Sequence, residues 1–273
     1  MSSMNKYIQL FRTGNCIMGI IGVMVASFMA AGTGLVDHWP NLMISAVLVF
    51  MFIAGGNALN DSIDHEIDKS SHPERPVPSG RMTAKHARDV GLFMLFGSVA
   101  VSLLTFDLAC VLVVIIACIL MVSYEMFLKQ RGFIGNVTIA VMTGMLFILG
   151  AAVIGDPMAN IIVALMAMLV SIGREISKDI EDKEGDVGRY TLPMRIGDRK
   201  AAIIASLFYL SGPLLSIQPI LAHTYGPLYY AVFLADACFL YCAAVVFSDP
   251  HKAQKMAKVG MMVGLIAFIL GVI

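Results

Sequence analysis

Aspartate residues recur at the same spacing in two distant segments of the sequence, DSIDHEID and DIEDKEGD. Both segments follow the pattern Asp-x-x-Asp-x-x-x-Asp, at Asp61, Asp64, Asp68, Asp179, Asp182 and Asp186. On an α-helix, positions i, i+3 and i+7 share one face, so each segment predicts three carboxylates on one side of a helix. Stacked carboxylates repel one another, so the repeated spacing favours a bound cation over a flexible, solvated charge run.

Magnesium with a phosphate ligand is the chemistry that this pattern favours. Mg²⁺ is usually held by one or two carboxylates together with phosphates and water. Two facing triads would hold two Mg²⁺ ions, with a diphosphate as the bridge. Nearby basic side chains could pair with phosphate oxygens that the metals leave free. The candidate bases are Arg12, Arg75, Arg81, Lys129, Arg174 and Lys178.

Two simpler interpretations of the same charges stay open. The acidic segments could be exposed loops that keep hydrophobic hairpins soluble at an interface. Each base, taken alone, could reflect only the excess of Lys and Arg in cytoplasmic loops of membrane proteins. The matched spacing of the two acidic segments argues against the first interpretation, and charge alone does not single out any one base.

The composition places these charges in a membrane protein. Of the 273 residues, 58% are hydrophobic and only 14% are charged, whereas soluble domains carry about 25% charged residues. The formal net charge is zero, so no basic field indicates nucleic acid as a partner. The five cysteines all lie in apolar runs, where we interpret them as small buried hydrophobic residues.

Nine apolar runs are candidates for transmembrane helices, which need about 20 residues each. They are Gly14–Leu35, Asn41–Leu59, Val90–Phe106, Leu108–Phe127, Phe133–Ile154, Met158–Ile172, Ala201–Ile217, Tyr225–Phe247 and Val259–Ile273. The runs do not alternate between apolar and polar residues, so they are not barrel strands. Only Asp107 separates the third run from the fourth, which predicts a tight helical hairpin. We therefore predict an all-α polytopic membrane protein, one domain over residues 1–273 with nine transmembrane helices in a bundle.

The basic residues predict the orientation of this bundle. With nine spans, all 19 Lys and Arg residues fall on the side of the N-terminus. The positive-inside rule places that side in the cytoplasm and the C-terminus outside, in a multi-pass protein of the cell membrane. The acidic segments lie on the same side, in connections at residues 60–89 and 174–200. The loop HPERPVPSGR after Asp68 is either an ordered cap over a site or a simple stop-and-turn loop.

The motifs resemble those of the UbiA superfamily of intramembrane prenyltransferases. The first matches the family pattern Asn-Asp-x-x-Asp-x-x-x-Asp from Asn60, and HPERPVPSGR is similar to the family stretch Pro-x-Arg-Pro-x-x-x-Gly. The stretches RTGNCIM and REISKDIEDKEGD look most like archaeal digeranylgeranylglyceryl phosphate synthases. That resemblance implies Mg²⁺-dependent transfer of a geranylgeranyl group from geranylgeranyl diphosphate to geranylgeranylglyceryl phosphate, forming an ether bond in archaeal membrane lipid synthesis.

The resemblance also implies roles for individual residues. Metal ligands would be Asn60, Asp64, Asp68, Asp182 and Asp186. The catalytic residues would be Asp61, Tyr124 and Asp179. The two acids would be metal ligands or would orient the ligands, and the ring of Tyr124 could stabilise an allylic cation. Substrate-binding residues would be Arg12, Asn15, Arg75, Arg81, Lys129, Asn136, Arg174 and Lys178. The partners would be a prenyl diphosphate donor, a lipid-like phosphate acceptor and membrane lipid, and the sequence does not indicate an oligomeric state.

Other interpretations of the sequence stay open. The acceptor could be an aromatic or quinone precursor, because aspartate motifs report the donor that the superfamily shares. A transporter would place acids near the membrane midplane, where only Asp236 lies. CDP-alcohol phosphotransferases also use spaced aspartates, but in one block on adjacent helices. Asp236 itself could be functional or a neutral, hydrogen-bonded acid, and Tyr124 could be an interfacial belt residue.

Overall fold

The computed structural model describes residues 3–105, 107–183 and 190–273, and within them it contains helices and connections but no strand. The α-helices are α1 (Ser3–Phe11), α2 (Thr13–Ala31), α3 (Trp39–Ile63), α4 (His65–Ser71), α5 (Ala84–Ser102), α6 (Leu108–Ser123), α7 (Phe133–Ala152), α8 (Ile161–Glu181), α9 (Leu192–Ile196), α10 (Asp198–Leu221), α11 (Val232–Val245) and α12 (Pro250–Val272). Short 3₁₀ helices cover Gly32–His38, Leu103–Thr105 and Pro227–Ala231, and a π-helical turn covers Tyr124–Leu128. The all-helical prediction is confirmed for this part of the chain.

Seven stretches of the described residues are long and apolar enough to cross a membrane. They are Thr13–Ile63, Ala84–Thr105, Leu108–Leu128, Phe133–Ala152, Asp198–Leu221, Pro227–Val245 and Pro250–Val272. The longest, Thr13–Ile63, contains two α-helices, α2 and α3, joined by a 3₁₀ turn. Helix α8 is absent from this set, since its last turns carry charged residues. These apolar helices confirm a multi-pass membrane protein.

The chain forms two compact units, Met1–Met126 with Leu149–Pro157, and Phe127–Ile148 with Met158–Ile273. In the first unit, the backbones of α3 and α5 approach closely. A Cβ atom on Gly55 would lie 2.9 Å from the carbonyl oxygen of Gly91, and a Cβ on Gly91 would lie 2.9 Å from the nitrogen of Leu59. Small residues allow such contact between membrane helices, and here they fix the end of α3 that carries the first aspartates.

The proline-rich loop after α4 is packed against this unit. Val77 and Met82 of the loop are buried in a cluster with Leu10 of α1, Ala58 of α3 and Ala87 of α5. Gly80 has a φ of 75°, a left-handed conformation that glycine adopts without a Cβ penalty. The loop is therefore a packed part of the fold, and α4 ends before its first proline as the sequence predicts.

In the second unit, α8 packs on α10 and α12. Its buried side chains include Ile176, which lies in one core cluster with Tyr209 of α10 and Phe239 of α11. At the end of α8, a carboxylate oxygen of Glu181 accepts a hydrogen bond from Gln254 of α12 at 3.1 Å. The C-terminal end of α8 therefore meets the N-terminal end of α12, and these two helices run antiparallel.

In each aspartate motif the helix ends at the middle acid. The prediction of one continuous helical face is therefore wrong for the first motif, and in the second motif the last acid, Asp186, lies outside the described residues. Helix α3 ends before Asp64, which has φ −85° and ψ 4°. Helix α8 ends before Asp182, which has φ −84° and ψ 0°. The backbone N–H groups of both acids still donate to the residue four positions earlier, Asn60 or Lys178, at 2.9 Å. The two motifs thus share their backbone conformation at the middle acid as well as their spacing in sequence.

Several helices begin before the apolar runs that predicted them, because polar side chains cap their first turns. The hydroxyl of Thr83 accepts a hydrogen bond from the backbone of His86, and Asp249 accepts one from Lys252. Both are N-caps of the usual type. Residues 85–89 and 252–258 therefore lie in the first turns of α5 and α12, whereas the sequence placed them in connections.

Asp107 agrees with the sequence-based interpretation, and the cysteines agree with it in part. Asp107 separates two helices, and its carboxylate accepts a hydrogen bond from Cys110 N at 2.8 Å to cap α6. All five cysteines are free; Cys16, Cys110 and Cys242 are buried as predicted, whereas Cys118 and Cys238 are half-buried.

Candidate active site

Asp61 is the most enclosed acid of the first motif, and Arg12 is its partner. The Asp61 side chain is fully buried, and Arg12 Nη2 contacts its Oδ1 atom and donates to Asn60 Oδ1 at 3.0 Å. Arg12 joins α1 to α2 with φ 47° and ψ 60°, a left-handed conformation that is costly for a residue with a side chain. Asn57 Nδ2 fixes this junction on α3 by donating to Phe11 O at 2.9 Å.

The proline-rich loop supplies a second arginine to the same acids. Arg75 Nη1 donates to Asp68 Oδ2 at 2.6 Å and lies 3.7 Å from Asp61 Oδ1. The other oxygen of Asp61, Oδ2, is buried and has no hydrogen-bond partner among the described residues. Two aspartates and two arginines therefore form one charge cluster, and a buried carboxylate oxygen in it can still accept a ligand.

Asn60 connects this cluster to a residue that the sequence analysis missed, Glu125. The amide nitrogen of Asn60 donates to Asp64 Oδ2 at 2.9 Å and to the Glu125 carboxylate oxygens at 3.1 and 3.3 Å. Glu125 is buried in the π-helical turn that begins at Tyr124. An ionisable residue inside an apolar run was the available signal, because such residues are usually functional in membranes.

Other predicted residues of the first unit lie differently. Arg81 bonds within its own loop, to Glu74 O and to Ser79 Oγ at 2.9 Å, and makes no ion pair with the described acids. Asn15 is exposed on α2, and its side chain makes no hydrogen bond in the part of the chain that the structure describes. Tyr124 is half-buried at the start of the π-helical turn, next to Glu125.

The second unit brings together another set of predicted residues. Asn136 Nδ2 of α7 donates to Asp179 Oδ2 of α8 at 2.7 Å. Lys129, just before α7, is buried. Arg174 pairs with the adjacent Glu175, whereas Lys178 and Asp182 are exposed at the end of α8. Asp186, the last acid of the second motif, lies outside the described residues.

Basic partners lower the pKa values of two acids beside the motifs. The hydrogen bond from Lys69, at 2.8 Å, lowers the pKa of the exposed Glu66 below its ordinary value. Burial by itself raises the pKa of Glu181, but hydrogen bonds from His251 and Gln254 outweigh it, so that the pKa is lowered. Both carboxylates are thereby favoured in their charged form at neutral pH.

The donor atoms of the first cluster fit a hard cation such as Mg²⁺. Carboxylate and amide oxygens are its preferred protein ligands, and the buried Asp61 Oδ2 atom is available to accept. No group of three or more His, Cys, Asp or Glu side chains among the described residues is arranged to hold a metal by itself. Mg²⁺ needs only one or two carboxylates when phosphate and water complete its coordination.

The fold and the site are those of a multi-pass helical membrane enzyme whose aspartates, asparagine and arginines suit Mg²⁺ and a phosphate ligand. The chain belongs to the UbiA prenyltransferase family, whose sequence profile matches residues 20–269. This match covers both aspartate motifs up to the last transmembrane helix, so the family resemblance seen in the motifs is confirmed.

Similar proteins include several archaeal digeranylgeranylglyceryl phosphate synthases. That of Methanothermobacter thermautotrophicus is 38% identical over 98% of this chain and 96% of its own length. That of Thermococcus kodakarensis is 38% identical over 97% of this chain and 96% of its own length. The similarity thus extends over almost the whole of each protein.

Solved structures support the same fold. A structure of digeranylgeranylglyceryl phosphate synthase matches with a TM-score of 0.89 and 29% identity, covering 100% of this chain and 99% of the other. A UbiA homologue from Archaeoglobus fulgidus, bound to DMAPP and Mg²⁺, matches with a TM-score of 0.68 and 13% identity, over 96% of this chain and 99% of the other. At that identity the second likeness supports the fold alone.

Proposed function

We propose that this protein transfers a geranylgeranyl group from geranylgeranyl diphosphate to the hydroxyl of geranylgeranylglyceryl phosphate. The product is the ether-linked lipid phosphate used in archaeal membrane lipid synthesis. The observation that carries the proposal is the 38% identity, over 98% of this chain, to a protein named digeranylgeranylglyceryl phosphate synthase. The two aspartate motifs, each on an apolar helix, fit a donor with a lipid tail and a diphosphate head.

The reaction exchanges one carbon–oxygen bond for another. The bond between C1 of the donor and the diphosphate oxygen breaks, and its electron pair leaves with diphosphate. The acceptor hydroxyl oxygen forms the new bond to C1, and the hydroxyl proton is released. Water would capture the same carbon, so the apolar surroundings of the site protect the allylic group from hydrolysis.

Two Mg²⁺ ions are the proposed cofactor. When bound, they supply Lewis-acid stabilisation of the charge that develops on the departing diphosphate. The proposed metal ligands are Asn60, Asp64, Asp68, Asp182 and Asp186, with Asp61 and Asp179 as ligands or orienting groups. The conformational repeat at Asp64 and Asp182 supports this proposal, because both middle acids are presented at the ends of their helices in the same way.

The bases of both units would bind phosphate oxygens. Arg12 and Arg75 balance the acids of the first motif in the structure, and each can turn to a phosphate that arrives with its metal. Lys129 and Asn136 would bind the donor head in the second unit, where Asn136 already orients Asp179. Tyr124 would stabilise the allylic cation through its ring. The remaining proposed substrate-binding residues are Asn15, Arg81, Arg174 and Lys178.

We further propose nine transmembrane helices with the motif-bearing side, including its proline-rich cap, in the cytoplasm. Seven apolar stretches are present in the described residues. One of them, Thr13–Ile63, contains two helices, and the 21-residue α8 is long enough to span as well. The basic residues on the side of the N-terminus support this orientation.

An acceptor panel tests the proposed reaction. Purified protein in detergent receives labelled geranylgeranyl diphosphate with geranylgeranylglyceryl phosphate, hydroxybenzoate or a quinone precursor. We expect labelled product only with the glyceryl phosphate lipid. Transfer to an aromatic acceptor, and none to the lipid phosphate, would place the protein in another branch of its family.

A further inference from the structure

A cavity of about 320 Å³ lies within the second unit, lined by residues of α7, α8, α11 and α12. Its volume is in the range of small-molecule sites. The side chains that α8 contributes include Val163, Met166, Val170 and Arg174, which share one helix face over about 16 Å. The wall formed by α8 is therefore a long apolar stripe with a cation at one end.

Helix α12 forms a wall of the same kind. Lys258, Met261, Leu265 and Phe268 line the cavity at helical spacing, again with the cation at one end of the stripe. Lys258 is exposed and makes no ion pair within residues 3–105, 107–183 and 190–273. Its ammonium group is therefore available to a ligand.

The two cations lie at the same end of the cavity because α8 and α12 are antiparallel. Glu181 at the end of α8 contacts His251 in the first turn of α12. Arg174 lies two helical turns before Glu181, and Lys258 lies two turns after His251, about 10 Å in each case. Both helices thus place one base at the same depth, at one end of the apolar stripes.

The chemistry of the lining differs from that of the aspartate motifs. Besides the two bases, its polar side chains are only Thr143 and Ser171, and no Asp or Glu of the described residues lines it. A site without carboxylates has no ligand set for Mg²⁺ but can bind a phosphate directly through its cations. Arg174 also pairs with Glu175, outside the lining, so Lys258 supplies the uncompensated charge.

We propose that this cavity binds the acceptor, an isoprenoid chain with a glyceryl phosphate head, and that Lys258 and Arg174 hold its phosphate. The proposal rests on the function proposed above and adds the place of its second substrate. An apolar cavity with two bases at one end complements an amphiphile with a single anionic head. The donor differs, since its diphosphate requires the metal-binding acids.

Direct binding tests the site without requiring transfer. Radiolabelled geranylgeranylglyceryl phosphate is titrated onto purified protein in nanodiscs of zwitterionic lipid, with EDTA and no donor. We expect saturable binding that Lys258→Ala weakens about ten-fold, because hydrogen bonds between charged groups are among the stronger ones. Lys255→Ala, an exposed lysine of the same helix that does not line the cavity, is the matched control and should bind like the wild type.

A cavity-filling variant and two competing lipids show which ligand the cavity binds. Ala167→Leu, which places a larger side chain in the cavity, should also weaken binding while leaving the melting temperature close to that of the wild type. An anionic diether phospholipid and geranylgeranyl diphosphate are tested as competitors. Equal competition by the phospholipid would show a groove for bulk lipid, and better competition by the diphosphate would show a donor site. Either result overturns the proposal.

Steady-state kinetics separates this proposal from the proposed reaction. In Lys258→Ala, KM for the acceptor should rise about ten-fold, with KM for geranylgeranyl diphosphate unchanged. A wild-type protein that binds the acceptor but transfers nothing would contradict the proposed reaction and leave the binding site intact. An active wild type whose acceptor KM is insensitive to both Lys258→Ala and Ala167→Leu would refute the binding site alone.

Discussion

At the scale of residues, the first motif is a set of acids whose charge is balanced by arginines. Asp61 is fully buried and is paired with Arg12, with Arg75 3.7 Å away. A buried ion pair contributes little net stability, but loss of one partner leaves an uncompensated charge and costs about 3–5 kcal/mol. The arginines therefore balance the charge of the acids and hold them in place until metal and phosphate bind.

Removing Arg12 tests this balance. Arg12→Ala should lower the free energy of unfolding by about 3 kcal/mol, because Asp61 would stay buried with only its longer contact to Arg75. The double variant Arg12→Ala/Asp61→Asn should recover most of the stability but not the activity, as seen in thermal melts and transfer assays. Lys85→Ala, on the exposed surface of α5, is the control. A double variant no more stable than Arg12→Ala would contradict the pairing.

Glu125 should act through Asn60 as a positioning residue. Glu125→Gln removes the charge that accepts from the Asn60 amide. Loss of such an outer partner typically weakens metal binding 10–100-fold, so the Mg²⁺ concentration for half-maximal activity should rise by about ten-fold. Glu66→Gln, an exposed acid beside the same motif, should leave it unchanged. A Mg²⁺ dependence like that of the wild type would show that Glu125 does not position Asn60 for metal binding.

Residue types and spacing predict the acids of this site, but not their partners. Arg12 contacts Asp61 from a left-handed backbone conformation, and no sequence pattern predicts that conformation. Glu125 escapes prediction because it lies inside an apolar run whose length indicates only a transmembrane helix. The sequence predicts that Asn136 lies near the donor head. Its hydrogen bond to Asp179 depends on the packing of α7 on α8, which the spacing of residues does not predict.

At the scale of elements, close packing of α3 on α5 fixes the position of the first motif. The two helices touch through Gly55 and Gly91, where any side chain would meet backbone atoms of the other helix. In the second unit, α10 packs beside α8 in the corresponding way. A Cβ atom added to Gly173 would lie 3.1 Å from Ala205 O and 3.2 Å from the Tyr209 ring. Both motif helices thus rely on a glycine for close contact with the next long helix.

A larger side chain at this contact should separate the helices. We expect Gly91→Val to lower the free energy of unfolding by about 1–3 kcal/mol, because overpacking forces the backbones apart. The melting temperature of the purified protein measures the effect, and Gly34→Ala, where an added Cβ meets nothing within 4 Å, is the control. Equal melting temperatures for both variants would show that α3 and α5 are not held by this contact.

Hydrophobic periodicity predicts the existence of most elements but not their ends. The apolar runs locate the helices, yet α5 and α12 begin earlier because Thr83 and Asp249 cap them. The i, i+3 and i+7 spacing of the acids also does not predict that the helices end at Asp64 and Asp182. A single residue with ψ near 0° ends each helix while its backbone N–H still bonds to the residue four positions earlier. Such a local change leaves no clear pattern in the composition of the sequence.

At the scale of the whole molecule, the distribution of charge predicts how the chain crosses the membrane. All Lys and Arg residues fall on the side of the N-terminus if nine spans are present. The positive-inside rule would then place both aspartate motifs on the cytoplasmic side, where Mg²⁺ is available and the released diphosphate can leave. The membrane interior would hold the isoprenoid tails.

Reporter fusions test this orientation. Fusions of a cytoplasmic reporter and of an exported reporter are placed after Ser79, in the proline-rich loop, and at the C-terminus. We expect the cytoplasmic reporter to be active at the loop and the exported one at the C-terminus. Activity of the same reporter at both positions would mean an even number of spans between them and would contradict the nine-helix topology.

A transfer assay on the purified protein, with and without Mg²⁺, tests whether it is a metal-dependent geranylgeranyltransferase. Geranylgeranyl diphosphate and geranylgeranylglyceryl phosphate are incubated with the protein in Mg²⁺ or in EDTA, and the product is identified by mass spectrometry. We expect the digeranylgeranyl ether and free diphosphate in Mg²⁺, no product in EDTA, and no product from Asp64→Ala or Asp182→Ala in either buffer. Ether formation in EDTA, or near-normal turnover by either aspartate variant, would contradict it.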